Sequence, residues 1–430
     1  MQTEAFVKGQ VALLVEPSEE LKSLSNPYDV TLRNEKNINY LYDTAYYNGS
    51  YYNYFGVAPI LTCILPFRLL TGKYLPLYLW NLLFMTIAIF ALYALYRKLI
   101  HRFLTKVSRL HFWLGFLAIL LASNFLILIR GLKYDIAITS GIAFMLLACN
   151  LAISIQKNTK IRPLKLVLLG LFTGLIVLSK PSFICYYLLI AFFFWNSVRE
   201  FEKKEKIKSI VIAMVPLVFL GIFQMVLNYL RFDNIFEFGA KYQLTGDDVT
   251  ATMIITFGKI LEGFILYLGK IPQVDLLKFP FFSLSMNHGL MPMNERCYEQ
   301  PLVGLLYLPI LWIYFFAKEI LKNPKEKELK HFIWLCLLLT AVLIILNTCC
   351  AGITEPYSVD FKLILAIGAV LLMLKAMEQK EGQKWMRKLY TIVCIVTILF
   401  MLPIGLFANC RDWGEQPITV LIENTFEFWK

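Results

Sequence analysis

The residues best suited to chemistry lie in a tyrosine-rich segment near the start of the chain, around the acidic residue Asp43. Eight tyrosines fall between Asn26 and Gly56, and an Asn48-Gly49 pair separates two tyrosine pairs. Asn and Gly both accept a positive φ, so this pair predicts a tight two-residue hairpin. A tyrosine ring offers an apolar face and a hydroxyl, which suit the C–H face and hydroxyls of a sugar. The candidate binding residues are Tyr46, Tyr47, Tyr51, Tyr52 and Tyr54.

The same segment also fits two simpler interpretations. Tyrosine is enriched in the aromatic belts at membrane–water interfaces, where it needs no ligand. The Asn48-Gly-Ser sequence matches a glycosylation sequon, but the turn accounts for it as well and is the preferred interpretation. The density of tyrosines and the neighbouring Asp43 carboxylate are what favour a ligand.

A second set of candidates is charged and lies at the predicted outer ends of apolar runs. Arg and Lys at this depth can hold a lipid phosphate, Arg through a planar fork and Lys as a point charge. The alternative is ordinary snorkelling of long side chains to the interface. The candidates are Arg130 and Lys133, which lie beside Asp135 in one turn, Lys180 in a second turn, and Glu355 near Asp360 and Lys362 in a third. Arg231 and Glu237, in the later polar segment 231–301, are further candidates for substrate binding.

Helices that cross a membrane must position these residues. The chain has 430 residues, 58% hydrophobic and 17% charged, which excludes a disordered chain and argues against a soluble domain. A helix needs about 20 mainly apolar residues to cross hydrocarbon. The sequence therefore predicts an all-α multi-pass membrane protein with ten spans, near 75–96, 111–129, 135–155, 164–179, 182–197, 209–230, 302–317, 332–349, 359–376 and 389–408.

Lysine and arginine are concentrated in every second loop. The short segments 97–110, 156–165, 198–208, 318–331 and 375–388 hold 24 Lys plus Arg against 8 acidic residues. Because basic loops stay on the cytoplasmic side, the pattern predicts a cytoplasmic-membrane protein with both ends outside. The formal net charge of +12 is then a consequence of topology and does not indicate nucleic-acid binding.

The spans divide the sequence into five predicted segments. The run at 57–70 is short and contains two prolines and Arg68, so we interpret it as re-entrant or interfacial. Residues 1–56 would lie outside with no span before them, so we expect a transmembrane helix upstream of Met1. The segments are an exterior tyrosine-rich loop (1–74), a six-helix part (75–230), an exterior amphipathic loop (231–301), a four-helix part (302–408) and an exterior tail (409–430).

Cysteine and metal-ligand patterns carry little signal. The nine cysteines sit mostly inside apolar runs, as buried free thiols do, and Cys297 and Cys410 are the pair that could meet outside the membrane. A lone His288 is more typical of a structural residue. Asp247-Asp248 could hold a divalent cation, although adjacent loop carboxylates are more often solvated. No other cofactor is predicted.

Several stretches together resemble the GT-C superfamily of multi-pass glycosyltransferases, in particular the branch that includes protein mannosyltransferases and lipid A aminoarabinose transferases. They are spread over most of the chain, and the order of long exterior loop, helix bundle and later exterior loop is similar too. The stretches are 4–10 (Glu-Ala-Phe-Val-Lys-Gly-Gln), 26–29 (Asn-Pro-Tyr-Asp), 43–59, Lys180-Pro181, 228–244 and 355–361 (Glu-Pro-Tyr-Ser-Val-Asp-Phe).

The resemblance implies transfer of a sugar from a polyprenyl-phosphate carrier to a lipid, glycan or protein acceptor at the outer face. It also implies a catalytic acidic residue soon after the first transmembrane helix, a position that falls before Met1 here. Within the chain, Asp43 is the first choice for that role and Glu4 the second. Lys180 stands where relatives often have Arg, and Glu355-Pro where Glu-Arg is common, and both changes weaken a bidentate grip on phosphate.

Two rival functions remain. A secondary transporter would place ionisable residues or broken helices near the bilayer midplane, and the predicted spans carry no central charge. A polysaccharide polymerase or ligase would also be multi-pass and handle lipid-linked glycans, but the position of the long loops and the tyrosine hairpin favour the GT-C type.

Overall fold

The computed structural model describes residues 1–131, 133–155, 163–272, 303–380 and 383–407. Within these ranges the chain is almost entirely helical, with one two-stranded sheet. The α-helices are α1 Gln2–Val7, α2 Glu19–Lys22, α3 Val30–Glu35, α4 Leu65–Thr71, α5 Leu77–Phe103, α6 Arg109–Ala122, α7 Lys133–Ile153, α8 Pro163–Ser179, α9 Tyr186–Val198, α10 Lys203–Phe232, α11 Val249–Thr252, α12 Phe257–Gly269, α13 Ala317–Ile320, α14 Lys327–Leu346, α15 Glu355–Gln379 and α16 Lys384–Phe407.

Seven helical segments of the described chain are long and apolar enough to cross a membrane. Their backbone polar groups are bonded within each helix, as a lipid environment requires. The protein is therefore an all-α, membrane-embedded type. The segments are Leu77–Phe103, Lys133–Ile153, Pro181–Val198, Lys203–Phe232, Pro324–Ala351, Glu355–Gln379 and Lys384–Gly405.

The remaining three predicted spans differ from the prediction in length or regularity. The run at 164–179 forms α8, which has 17 residues. The run at 111–129 divides into α6, of 14 residues, and the 3-10 helix Phe125–Arg130, because Asn124 adopts a left-handed conformation with φ 56°. The run at 302–317 forms the 3-10 helices Leu305–Tyr307 and Pro309–Phe316. Proline fixes φ and lacks an N–H, and the residue before it is extended, which interrupts this run.

The chain forms two compact units that interleave in sequence. The first contains 1–88, 136–256 and 349–351, and the second contains 89–135, 257–348 and 352–430. Neither unit coincides with one of the five predicted segments, which concern membrane topology and stay predictions. The tail at 409–430 and the stretch 273–302 lie outside the described residues, with Cys297, Cys410 and His288.

Close helix packing in the first unit depends on two glycines of α8. A Cβ on Gly170 would lie 1.9 Å from the Ala213 carbonyl oxygen of α10, and one on Gly174 would lie 2.7 Å from the Leu220 side chain. Glycines four residues apart let two apolar helices approach to backbone contact, which is a frequent arrangement in membranes. This pairing fixes the middle of α10 against α8, and α10 ends at Phe232 beside the tyrosine-rich segment.

The helix α15 is the central element of the second unit's polar interior. Nearly every residue from Glu355 to Met377 is buried. Its first turn carries Glu355 and Ser358, and Lys362 follows one turn later on the same face, since positions three and four apart are neighbours on a helix. These polar side chains require partners inside the protein.

Candidate functional site

The predicted hairpin is present in the first unit. Strands β1 Ala45–Tyr47 and β2 Ser50–Tyr52 pair antiparallel, with Tyr46 opposite Tyr51. The turn residues have positive φ, 46° at Asn48 and 75° at Gly49. Both signs are those that a two-residue turn between twisted strands requires. The turn prediction is confirmed.

One face of the hairpin is a small hydrophobic core. Tyr46 and Tyr51 are buried there, 5.9 Å apart between ring centroids, and burial raises the pKa of each phenol. These two rings support the fold of the segment and are not available as a flat surface for a ligand. The rest of the core consists of Leu13, Leu21, Leu24, Ile38 and Leu244.

The opposite face carries half-buried aromatic rings, because side chains alternate along a strand. Tyr47 lies 4.7 Å from Tyr242 and 6.0 Å from Phe232, and Tyr52 lies 5.5 Å from Phe232, all between ring centroids. Phe232 ends α10, and Tyr242 belongs to the loop that follows it. We call Tyr47, Tyr52, Phe232 and Tyr242 the aromatic wall.

Asp43 lies at the base of the hairpin and is held by side-chain and backbone hydrogen bonds. Its side chain is 4% exposed, and its Oδ1 accepts a 2.5 Å hydrogen bond from the Tyr54 hydroxyl. Its backbone N–H donates to the Leu244 carbonyl at 2.7 Å, and its φ of 59° lies in the left-handed region. The carboxylate that the sequence singled out is therefore buried and fixed beside a predicted binding tyrosine.

This arrangement has the elements of a general base. A carboxylate within hydrogen-bond reach of a hydroxyl can take its proton, and partial burial strengthens its interaction with that hydroxyl. Tyr54 fixes the orientation of the carboxylate, and its ring lies 4.2 Å from Phe55 between centroids.

Lys180 follows directly after a close backbone contact with the end of the hairpin segment. A Cβ on Gly56 would lie 1.9 Å from the Ser179 carbonyl oxygen, so only glycine allows this approach. The ammonium of Lys180 lies 5.0 Å from the centre of the Phe183 ring. The contact brings one predicted phosphate-binding cation next to the segment that contains Tyr54.

Arg231 and Glu237 support the loop that follows α10. Arg231 is buried, and its guanidinium donates to the Asn53 carbonyl at 2.7 Å and to the Asn228 side chain at 2.8 Å. Glu237 accepts from the Gly239 N–H at 2.7 Å and pairs with Lys241 at 3.0 Å. Both side chains are used within the protein, which accounts for their position better than ligand binding does.

Glu4 is engaged in an ion pair in the same unit. Its Oε1 accepts a 2.8 Å hydrogen bond from Arg68 and another from the Tyr74 hydroxyl. These bonds, that of Tyr74 first and that of Arg68 second, lower the pKa of the Glu4 carboxyl. A lowered pKa makes Glu4 a weaker base than an ordinary carboxylate, so Asp43 remains the better candidate.

In the second unit, Glu355 is the centre of a buried polar cluster. Its Oε1 accepts hydrogen bonds from the Lys362 ammonium at 2.9 Å, from Ser358 at 2.9 Å and from Asn124 at 2.7 Å. Asp360 accepts from Asn347 at 2.8 Å. Asn124 joins the cluster because its left-handed φ ends α6 there.

The remaining charged candidates are divided between the units. Lys133 begins α7 in the second unit, and its ammonium lies 5.4 Å from the centre of the Tyr134 ring. The Arg130 side chain lies outside the described part of the structure. Lys180 belongs to the first unit and Glu355 to the second, so the predicted convergence of their turns stays a prediction.

The described residues contain no group of three His, Cys, Asp or Glu side chains that could hold a metal ion. Asp248 accepts hydrogen bonds from the N–H and the hydroxyl of Thr250 at 2.9 and 2.5 Å, which caps α11. Asp248 therefore has a local structural role, and the possible cation site at Asp247-Asp248 stays a prediction.

Sequence reasoning missed Phe232 and Tyr242 as parts of the aromatic wall and Asn124 as a partner of Glu355. The alternation of tyrosines on the two strands carried a usable signal, since it separates Tyr46 and Tyr51 from Tyr47 and Tyr52. Comparison with protein-family models, curated proteins and solved structures finds no match to this chain. The function is therefore argued from the site.

Proposed function

We propose that the protein is a membrane glycosyltransferase that moves a sugar from a polyprenyl-phosphate donor to an acceptor at the outer face of the cytoplasmic membrane. The observation that carries the proposal is the buried Asp43 carboxylate, bonded to Tyr54 at the base of a tyrosine hairpin. In the aromatic wall Phe232 is buried, and the half-buried rings of Tyr47, Tyr52 and Tyr242 offer faces on which a sugar can stack. The apolar helices offer a place for the isoprenoid tail, and together these features support the proposal.

The proposed reaction is a displacement at the anomeric carbon. Asp43 accepts the proton of the acceptor hydroxyl as its oxygen forms a bond to the anomeric carbon. The bond from that carbon to the phosphate oxygen breaks, and the polyprenyl phosphate leaves with the electron pair. Lys180 would stabilise the charge that develops on the leaving phosphate.

The proposed topology has ten spans, with 97–110, 156–165, 198–208, 318–331 and 375–388 on the cytoplasmic side and both ends outside. It is supported by the alternation of basic loops. It requires α6, α8 and the 3-10 segments around Pro309 to cross or partly cross the membrane beside longer helices. Single cysteines introduced at positions 20 and 387, in a background without native cysteines, test this topology by labelling from outside. We expect label at position 20 and none at position 387.

Donor binding provides the direct test of the proposal. A polyprenyl-phosphate sugar is expected to raise the unfolding temperature of the purified full chain more than polyprenyl phosphate alone. Tyr47→Ala should remove the extra protection by the sugar, because it deletes a half-buried ring that contacts both Phe232 and Tyr242. Tyr42→Ala, at an exposed tyrosine of the same segment, is the matched control. Equal protection by both lipids would count against a sugar site here.

One observation favours a second candidate, a multi-pass transporter. The helix α15 holds Glu355, Asp360 and Lys362 fully inside the protein, and buried ionisable residues in an apolar helix are frequent in transport pathways. Their position within two turns of the N-terminus is less typical than a midplane site. Substrate-driven proton or sodium flux in vesicles containing the purified protein would favour this function over transfer.

A further inference from the structure

A pocket of about 630 Å³ lies in the second unit where four helices end or begin. The helix α5 ends at Phe103 and α6 begins at Arg109, while α15 ends at Gln379 and α16 begins at Lys384. In a membrane-embedded bundle, helix ends lie at the depth of the lipid headgroups. The pocket is therefore expected at the depth of the lipid headgroups, and its residues are distant in sequence from Asp43.

Five basic side chains line this pocket, namely Arg97, His101, Lys106, His111 and Arg387. Arg97, His101 and Lys106 are exposed and have no hydrogen-bond or ion-pair partner in the described parts of the chain. Arg102 and Lys375, by contrast, are paired.

These two paired cations show what Arg97 and Lys106 lack. Arg102 donates to Glu328 at 2.6 Å, and Lys375 pairs with Glu326 and Glu378 at 2.8 Å each. Carboxylates near the start of α14 and the end of α15 thus pair with these two cations, whereas Arg97 and Lys106 in the pocket are left to attract an external anion.

Glu378 is the acidic residue among those that line the pocket, and it serves the loop between α5 and α6. One oxygen accepts from the Thr105 N–H at 2.7 Å and from the Thr105 hydroxyl at 2.5 Å, and the other pairs with Lys375. Lys375 is shared with Glu326 and offsets this charge in part, and Arg97, Lys106 and Arg387 leave the lining with an excess of positive charge. Glu378 therefore holds Lys106 on a fixed loop without cancelling the charge of the pocket.

The start of α6 adds orientation and a favourable dipole. The Ser108 side chain accepts from the His111 N–H at 3.3 Å, and its oxygen lies 2.9 Å from the His111 ring nitrogen Nδ1. This cap fixes the first turn, whose unpaired N–H groups carry partial positive charge. The remaining lining is apolar, with Ile100, Leu104, Val107, Phe112 and Met377.

We propose that this pocket binds the phosphate group of an anionic membrane lipid. Cations, a capped helix start and an apolar lining together match a headgroup phosphate joined to an apolar glycerol–acyl region. Free inorganic phosphate shares the phosphate chemistry but not the apolar part. This site is independent of the glycosyl transfer proposed above, because all its lining residues belong to the second unit.

The test measures lipid binding to the purified full chain in detergent by thermal unfolding and native mass spectrometry. The probes are dioctanoyl phosphatidic acid, dioctanoyl phosphatidylcholine and inorganic phosphate. Arg97→Gln with Lys106→Gln removes two pocket cations. The matched control, Arg109→Gln with Lys388→Gln, removes two exposed cations from neighbouring positions that do not line the pocket. If the pocket double variant does not fold, the single variant Lys106→Gln, which changes one exposed loop residue, is measured in its place.

Phosphatidic acid is expected to bind the wild type and the control alike and to bind the pocket variant about tenfold more weakly, since charge-assisted hydrogen bonds are lost. Phosphatidylcholine should bind more weakly than phosphatidic acid in every variant that keeps the pocket cations. If inorganic phosphate competes with phosphatidic acid, the pocket recognises the phosphate group alone. If it does not compete, the pocket recognises the whole lipid headgroup. Equal weakening in both double variants, or equal binding of the two lipids, would overturn the proposal.

Discussion

Asp43 in the first unit and Glu355 in the second are both buried carboxylates, but they lie in different kinds of structural element. Glu355 accepts three hydrogen bonds on one oxygen, one of them from the Lys362 ammonium. Asp43 accepts from a neutral phenol. Glu355 lies in the first turn of a long buried helix, whereas Asp43 lies in the loop at the base of the hairpin.

The difference separates a structural role from a chemical one. Glu355, Ser358 and Lys362 lie on one face of α15, and Asn124 ties the end of α6 to them, so this cluster joins elements of the second unit. Asp43 lies in a loop, at a hairpin with half-buried aromatic rings beside it. Binding and catalytic residues are commonly placed on such loops above a rigid scaffold.

The largest expected effect is on stability, at Lys362. Lys362→Met leaves the Glu355 charge buried without its cation, which should lower the free energy of unfolding by about 3–5 kcal/mol. The double variant Glu355→Gln with Lys362→Met should be more stable than the single one, because position 355 then carries no charge that is buried without its cation. Thermal unfolding of the detergent-solubilised protein measures both. A single variant as stable as the wild type would show that Glu355 is not held by this pair.

The next effect concerns the phenol that holds Asp43. Tyr54→Phe keeps the ring but removes the hydrogen bond to the carboxylate, so donor turnover should fall about tenfold with little loss of donor binding. Tyr42→Phe, at an exposed tyrosine of the same segment, should leave turnover unchanged. If the two variants behave alike, Tyr54 does not position Asp43.

A smaller effect is expected in the hairpin turn. Gly49→Ala should lower the free energy of unfolding by about 1 kcal/mol, because an L side chain is disfavoured at φ 75°. A Cβ there meets nothing within 4 Å, so the cost comes from the backbone alone. Gly246→Ala is the control, since that position is equally open and has no positive φ. Chemical unfolding followed by tyrosine fluorescence compares the two.

The smallest effect is expected at Glu4, whose ion pair with Arg68 is partly exposed. Because the folded pKa of Glu4 is lowered from 4.5, its contribution to stability is present above that value. It is lost as the pH falls through the lowered pKa. The unfolding temperatures of Glu4→Gln and wild type should therefore differ slightly at neutral pH and converge in acid. A gap that widens in acid would contradict the assigned pairing.

The parts of the fold that sequence predicted well are those set by local chemistry. Asn48-Gly49 determines its own turn, because few other residues accept positive φ at both positions. The long apolar runs at 209–230 and 332–349 became the helices α10 and α14 for the same reason, since length and composition are enough to define them.

The parts that sequence did not predict depend on contacts between distant segments. In the sequence, Arg231 has the pattern of an exposed cation. In the structure it is buried, and its hydrogen bond to the Asn53 carbonyl joins residues far apart in the chain. The predicted span began at residue 359, so Glu355 and Ser358 fell outside it. Their position on the same helix face as Lys362 was therefore not recognised. The spacing of these residues by three and four was visible, and starting the helix at Glu355 would have revealed it.

The predicted run at 302–317 shows the limit of hydropathy. Its composition is apolar throughout, but Pro309 follows an extended residue and the chain continues as a 3-10 helix. Hydropathy measures the preference for lipid and carries no information on backbone continuity, which proline decides here.

The central claim is that Asp43 takes the proton from the acceptor hydroxyl. The most direct measurement is the release of polyprenyl phosphate from a polyprenyl-phosphate sugar, in native membranes carrying the wild type, Asp43→Asn or the control Glu20→Gln at an exposed carboxylate of the same segment, at equal expression. The account predicts release by the wild type and the control, and a loss of about a hundredfold or more in Asp43→Asn with donor binding retained. Equal release by wild type and Asp43→Asn would contradict it.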